Sequence, residues 1–121
     1  MKIGGFNLKA FDGRDPLTAD FDLTTLTVAD VWTELDLSGI IPVGTRMVYF
    51  QCGLVADAPA NYMSFRRKGD SGGGQCITAQ VAFLEIWKTF LVQVGSDGKI
   101  EYYKHAPSAT FLDVSVFGWF T

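Results

Sequence analysis

Apolar and polar residues alternate with a period of two along most of the chain from Val31 onward. Over 46–55, Val48, Phe50, Cys52 and Leu54 fall on one face, and Met47, Tyr49, Gln51 and Gly53 on the other. Over 75–86, Ile77, Ala79, Val81 and Phe83 share a face opposite Thr78, Gln80 and Ala82. Alternation of this length predicts strands with one face in a core. Shorter strands are predicted over 31–37 and 61–67, the latter turning at Lys68-Gly69-Asp70. Segments 87–94 and 99–105 flank Gly95-Ser96-Asp97-Gly98, whose Asp-Gly step tolerates positive φ, and this predicts a hairpin. On 99–105, Tyr103 shares a face with Lys99, Glu101 and His105, opposite Ile100 and Tyr102. The last predicted strand, 113–120, ends in Phe117-Gly118-Trp119-Phe120; aromatic residues so near the final position build this strand into the core.

No stretch shows apolar i, i+3, i+4 spacing over three turns. Six to eight strands with glycine- and proline-rich turns in 121 residues predict an all-β fold. The expected architecture is an antiparallel β-sandwich, jelly-roll-like, built from two packed sheets. Residues 1–30 differ from the rest. They read as short apolar pieces broken by turn residues, such as Phe11-Asp12-Gly13-Arg14-Asp15-Pro16. They are expected to form an extended N-terminal arm or lead-in strand before a sandwich domain of 31–121.

Composition adds a hint about surface. The chain is 48% hydrophobic with 10 Phe, 4 Tyr and 3 Trp, so core residues are ample. Charged residues make up 19%, against roughly 25% in ordinary soluble domains. The deficit fits an apolar surface covered by a partner, and an aromatic-rich core accounts for it equally well. Net charge is −3 and the one basic cluster, Arg66-Arg67-Lys68, is followed by Asp70. That balance argues against a nucleic-acid partner, whose phosphates call for a basic excess. No apolar signal-like segment follows Lys2, and no window approaches ~18 uninterrupted apolar residues, so no membrane partner is expected. Cys52 and Cys76 both fall in predicted strands, where a buried free thiol is common; a disulfide requires neighbouring strands.

Candidate chemistry is sparse. Gly69-Asp70-Ser71-Gly72-Gly73-Gly74 spells the nucleophile loop of chymotrypsin-like proteases, but the only histidine, His105, follows the serine instead of preceding it. A glycine-rich loop between strands explains the run without catalysis. His105 has no ligand cluster beside it, and Asp12, Asp15, Asp20 and Asp22 lack calcium-loop spacing. No catalytic residue, metal or cofactor is expected. Aromatic residues facing outward are the better lead. Tyr103, Trp87, Tyr49 and Tyr62 can stack on sugar rings or anchor an interface, and a second sandwich layer would use the same residues.

Trp32-Thr33-Glu34-Leu35-Asp36-Leu37-Ser38 followed by Ile41-Pro42-Val43-Gly44-Thr45 resembles the opening of small β-sandwich modules in tailed-bacteriophage virion proteins. Phe65-Arg66-Arg67-Lys68-Gly69, the stretch from Val94 to Tyr102 and Val116-Phe117-Gly118-Trp119 extend that resemblance. Such modules occur in head decoration (cement) proteins and at tail-fibre tips. The resemblance implies a jelly-roll-like sandwich and carries no catalytic residue over. A module only about 30 residues from Met1 is more similar to a stand-alone decoration protein than to the end of a long fibre.

The expected function is therefore a non-enzymatic virion structural protein that decorates the phage head. It would bind the major capsid protein or other virion proteins, and its own copies as a dimer or trimer. Phe6, Leu8, Phe11 and Phe21 on the arm, with Tyr62, Trp87 and Tyr103 on the sandwich, are the candidate contacts. The alternative is a receptor- or carbohydrate-binding module of a phage tail, with Tyr103, Trp87 or Tyr62 stacking on a glycan. A small hydrolase using carboxylates gathered by the fold is the third reading.

Overall fold

The computed structural model describes residues 18–121 in full and, before them, the backbone of two short strands. No helix occurs among the described residues. The strands run β1 (Lys2–Ile3), β2 (Phe6–Ala10), β3 (Phe21–Asp22), β4 (Thr33–Asp36), β5 (Met47–Ala56), β6 (Asn61–Arg67), β7 (Gln75–Ala79), β8 (Ile86–Gln93), β9 (Lys99–His105) and β10 (Ala109–Phe120). They form two antiparallel sheets. The four-stranded sheet has the order β4-β9-β6-β7; the six-stranded sheet has the order β1-β2-β10-β5-β8, with β3 also paired to β10. β2 and β3 share one edge of β10, at Gly118–Phe120 and at Asp113–Val114. Taking β2 and β3 as one strand, the chain from there to β10 crosses to the other sheet at every connection except the β6–β7 hairpin, which is the winding of a jelly roll.

The predicted alternation puts the core where the two sheets meet. Val48, Phe50, Cys52 and Leu54 of β5 are buried against Met63 and Phe65 of β6 and Ile100 and Tyr102 of β9. At the centre, Phe50 and Phe90 stack with centroids 5.2 Å apart, and Phe65 meets each edge-on at 4.9 Å. β10 keeps its pattern through a bulge. Val116 lies opposite Phe50 and Gly118 opposite Tyr49, so Phe117 is the extra residue and Trp119 points inward beside Val48.

Two predicted connections differ. The segments around Gly95-Ser96-Asp97-Gly98 do not form a hairpin: β8 pairs with β5, while β9 pairs with β4 and β6. The turn reverses the chain but carries it from one sheet to the other. Nor is 75–86 a single strand. β7 ends at Ala79 in the four-stranded sheet and β8 begins at Ile86 in the six-stranded one. The chain must leave the core between them, and Val81 and Phe83, expected inside, are 57% and 75% exposed.

The two strands flanking that crossing, β7 and β8, are edge strands with polar residues at inward-facing positions. Gln75 lies opposite Phe65, and its Nε2 donates to Leu91 O at 2.8 Å. Lys88 lies opposite Cys52, and its Nζ donates to Cys76 O at 2.8 Å. Each side chain satisfies an edge carbonyl of the other sheet, closing that side of the sandwich against further strand pairing. Cys52 is sealed in the core, where burial pushes its thiol well above the ordinary range, and Cys76 lies on the outer face of β7; both are free thiols.

Candidate functional site

The outer face of the four-stranded sheet gathers aromatic residues from strands distant in sequence. β9 runs through the middle, and Tyr103 lies directly opposite Ser64 of β6. One position beyond the Thr33–Tyr102 pair, Trp32 reaches Tyr103 with ring centroids 5.5 Å apart. Tyr62, opposite His105, has its ring 6.0 Å from Tyr103 and within 6° of parallel to it. The His105 imidazole lies 5.2 Å from Tyr62. Trp32, Tyr103, Tyr62 and His105 thus form a continuous row of rings across three strands. Loss of solvation and the neighbouring Tyr103 hold the Tyr62 phenol above its usual range, so it stays a neutral donor and acceptor.

Trp32, Tyr62, Tyr103, Ser64 and Gly73 line a cleft of about 180 Å³ on this face. Ser64 is only 5% exposed. Its hydroxyl makes no hydrogen bond to another described residue, and no side-chain N or O sealed from solvent among them lacks a partner; the Ser64 hydroxyl therefore opens onto the cleft.

Charges around the cleft are already paired. The Arg66 guanidinium sits 3.9 Å over the Trp32 ring, donates from Nε to Glu101 Oε1 at 2.7 Å, and donates from Nη1 to Gly72 O at 2.6 Å. It pins one face of Trp32 and ties the glycine-rich loop to the sheet. His105 Nδ1 meets Asp30 Oδ1 at 2.6 Å. The glycine run itself is structural. Gly74 has φ +71, and a Cβ there would fall 2.3 Å from Phe65 O.

The second exposed surface lies on the other sheet. Trp87 of β8 lays its ring on Gly53 of β5, meets Phe111 of β10 edge-on at 5.9 Å and donates from Nε1 to Glu85 at 2.9 Å. Phe83 continues the ladder beyond β8, its N–H bonded to Ala56 O at 2.8 Å. Trp87, Phe83, Leu84, Val81 and Phe111 are all exposed at this end of the six-stranded sheet.

The predicted contact residues therefore divide. Tyr62 and Tyr103 come together on the four-stranded sheet, while Trp87 lies on the opposite sheet. Phe21 packs against the core beside Val114, so its apolar side chain already has a place in the domain. Phe6 and Leu8 belong to β2, but their side chains, and all of Phe11, lie outside the described residues. Sequence reasoning missed Trp32 and Ser64 as site residues. Trp32 meets Tyr103 across 71 positions of sequence through the β4–β9 register alone, and Ser64 becomes notable only once Tyr103 lies opposite it. No group of three or more His, Cys, Asp or Glu able to hold a metal occurs among the described residues. No protein-family model matches the sequence, and neither curated proteins nor solved structures give a significant match.

Proposed function

We propose that the chain is a non-enzymatic structural protein of a tailed-phage virion, a capsid decoration protein that docks on the head through the apolar end of its six-stranded sheet. The observation that carries this reading is Phe83, which is 75% exposed on a backbone with φ +63. A bulky residue in that region costs of order 1–3 kcal/mol. Holding a phenyl ring outward at such a cost, beside exposed Val81, Leu84, Trp87 and Phe111, makes sense for a surface that another protein covers. The phage assignment rests on the sequence motifs shared with virion modules. The jelly-roll winding is compatible with it, since capsid and lectin domains both use that frame. Many identical copies on a symmetric shell convert a modest single contact into firm retention. The partners are the major capsid protein or other head proteins, together with second and third copies of this chain.

Quantitative mass spectrometry of purified particles tests the assignment. The protein is expected in copy number comparable with the major capsid subunit. Absence from the particle, or presence in only a few copies, would overturn it. On particles lacking the protein, added wild type should rebind, and Phe83→Asp should rebind at least about tenfold more weakly if the ring is an interface anchor. Equal rebinding would remove this surface from the docking role.

A further inference from the structure

We propose that the outer face of the four-stranded sheet binds a neutral pyranose-containing glycan, with Tyr62 and Tyr103 as the stacking platform and Ser64 as the hydrogen-bonding group between them. The site lies on the opposite sheet from the apolar end around Phe83, so it stands or falls independently of the docking surface.

Three observations point to this ligand class. The rings form a row whose steps of 5.5 and 6.0 Å are comparable with the width of one sugar ring, and they line a cleft instead of packing into a core. A pyranose offers a flat C–H face to such rings and hydroxyls around its rim, which is the mixture this cleft can satisfy. Next, Ser64 is nine-tenths or more buried, lines the cleft and has a hydroxyl with no partner among the described residues. A hydroxyl placed so is a donor and acceptor waiting for a polar atom. Third, the charged groups near the cleft already have partners: Arg66 pairs with Glu101, and Asp30 Oδ1 meets His105 Nδ1 at 2.6 Å. An anionic ligand would find no uncommitted cation there, and a cationic ligand no uncommitted carboxylate. The phenols of Tyr62 and Tyr103 supply further polar groups in the cleft lining. Arg66, stacked on Trp32, holds that indole as the wall of the cleft.

The test is titration of the isotope-labelled full chain with maltohexaose, cellohexaose, chitohexaose and a galacto-oligosaccharide, followed by amide resonance shifts. A sulfated oligosaccharide and decaproline serve as rival probes. At least one neutral oligosaccharide is expected to shift Tyr62, Ser64 and Tyr103 while leaving Trp87 and Phe111 in place. Tyr62→Ala and Tyr103→Ala should each weaken binding about tenfold, the scale of one lost stacking ring. Ser64→Ala, which barely changes volume, should weaken it a few-fold, and Trp87→Ala should leave it unchanged. The unliganded spectrum of each variant reports whether it folds, and Ser64→Ala keeps the test open if a tyrosine variant does not. The proposal is overturned if no neutral oligosaccharide binds, if binding survives the substitutions on this face, or if only the sulfated sugar or decaproline binds.

Discussion

At Gly53 a hydrogen stands where any other residue would bring a Cβ within 2.6 Å of the Trp87 ring, so the indole can lie flat on the sheet only over glycine. Gly74 answers a harder constraint. Its φ of +71 already disfavours a side chain, and the atom 2.3 Å from its would-be Cβ is the backbone carbonyl of Phe65, a core residue that cannot swing aside. Gly69 provides the comparison, with φ +86 and nothing within 4 Å. Gly69→Ala is therefore expected to cost about 1 kcal/mol from backbone strain alone. Gly74→Ala should cost about 3 kcal/mol, because the β6–β7 hairpin must also shift. Urea unfolding of the two variants measures the difference, and equal losses would mean that the close approach is unimportant. At this scale the sequence was informative about which way side chains point. Tyr103 and Ile100 sit on the opposite faces that alternation assigned them, and Tyr62 and Trp87 do face away from the core. It was silent on Ser64, because a serine in a strand has no meaning until its cross-strand neighbours are known.

Between elements, the turn chemistry at Gly95-Ser96-Asp97-Gly98 identified a chain reversal but not the partner of the strand it delivered. Local φ preferences fix where the chain turns; only the sheet as a whole decides whether the two strands pair or lie on opposite layers. The same limit explains 75–86, where the alternation runs on past Ala79 although the chain has left its sheet. One set of charges braces this region. Lys68, in the β6–β7 turn, bridges Asp97 of the β8–β9 connection and Glu34 of β4, and Lys99 of β9 also reaches Glu34 at 3.2 Å. The Lys68 hydrogen bonds hold Asp97 and Glu34 below their usual carboxylate values, and Asp97 and Glu34 in turn hold Lys68 above its own. Because the folded-state carboxylate values are depressed, their contribution is complete above the unfolded values near about 4. It is lost as pH falls through the depressed folded values, where the carboxylates protonate. The Lys68 contribution is lost only as pH rises through its raised folded value. These side chains keep between 31% and 49% of their surface open to solvent, so salt screens them. Thermal melts should show Lys68→Met less stable than wild type at neutral pH. The gap should close as the pH falls through the depressed carboxylate values of Asp97 and Glu34, and shrink in about 1 M salt. A gap independent of pH would assign the loss to packing of the lysine stem.

As a whole, the molecule presents two unlike surfaces on opposite sides of one core. The period-two pattern, the absence of helical spacing and the aromatic final strand sufficed for an all-β jelly-roll-like sandwich, because burial of alternate residues in 46–55, 61–67 and 99–105 leaves few other solutions. The candidate sites were legible only in part, since each is assembled from strands more than twenty positions apart whose pairing is set by register. The six-stranded sheet carries an apolar end around Phe83, Trp87 and Phe111, suited to a protein surface. The four-stranded sheet carries the cleft around Tyr62, Ser64 and Tyr103, suited to a small polar ring. A decoration protein built this way would attach by the first and leave the second outward.

Hydroxyl-radical footprinting of the protein free and bound on particles tests that arrangement most directly. The account predicts that Phe83, Leu84 and Trp87 become protected on the particle while Tyr62 and Tyr103 keep the reactivity they have in solution. Protection of Tyr62 and Tyr103 with Phe83 and Trp87 still reactive would contradict it, and would make the aromatic cleft the docking surface.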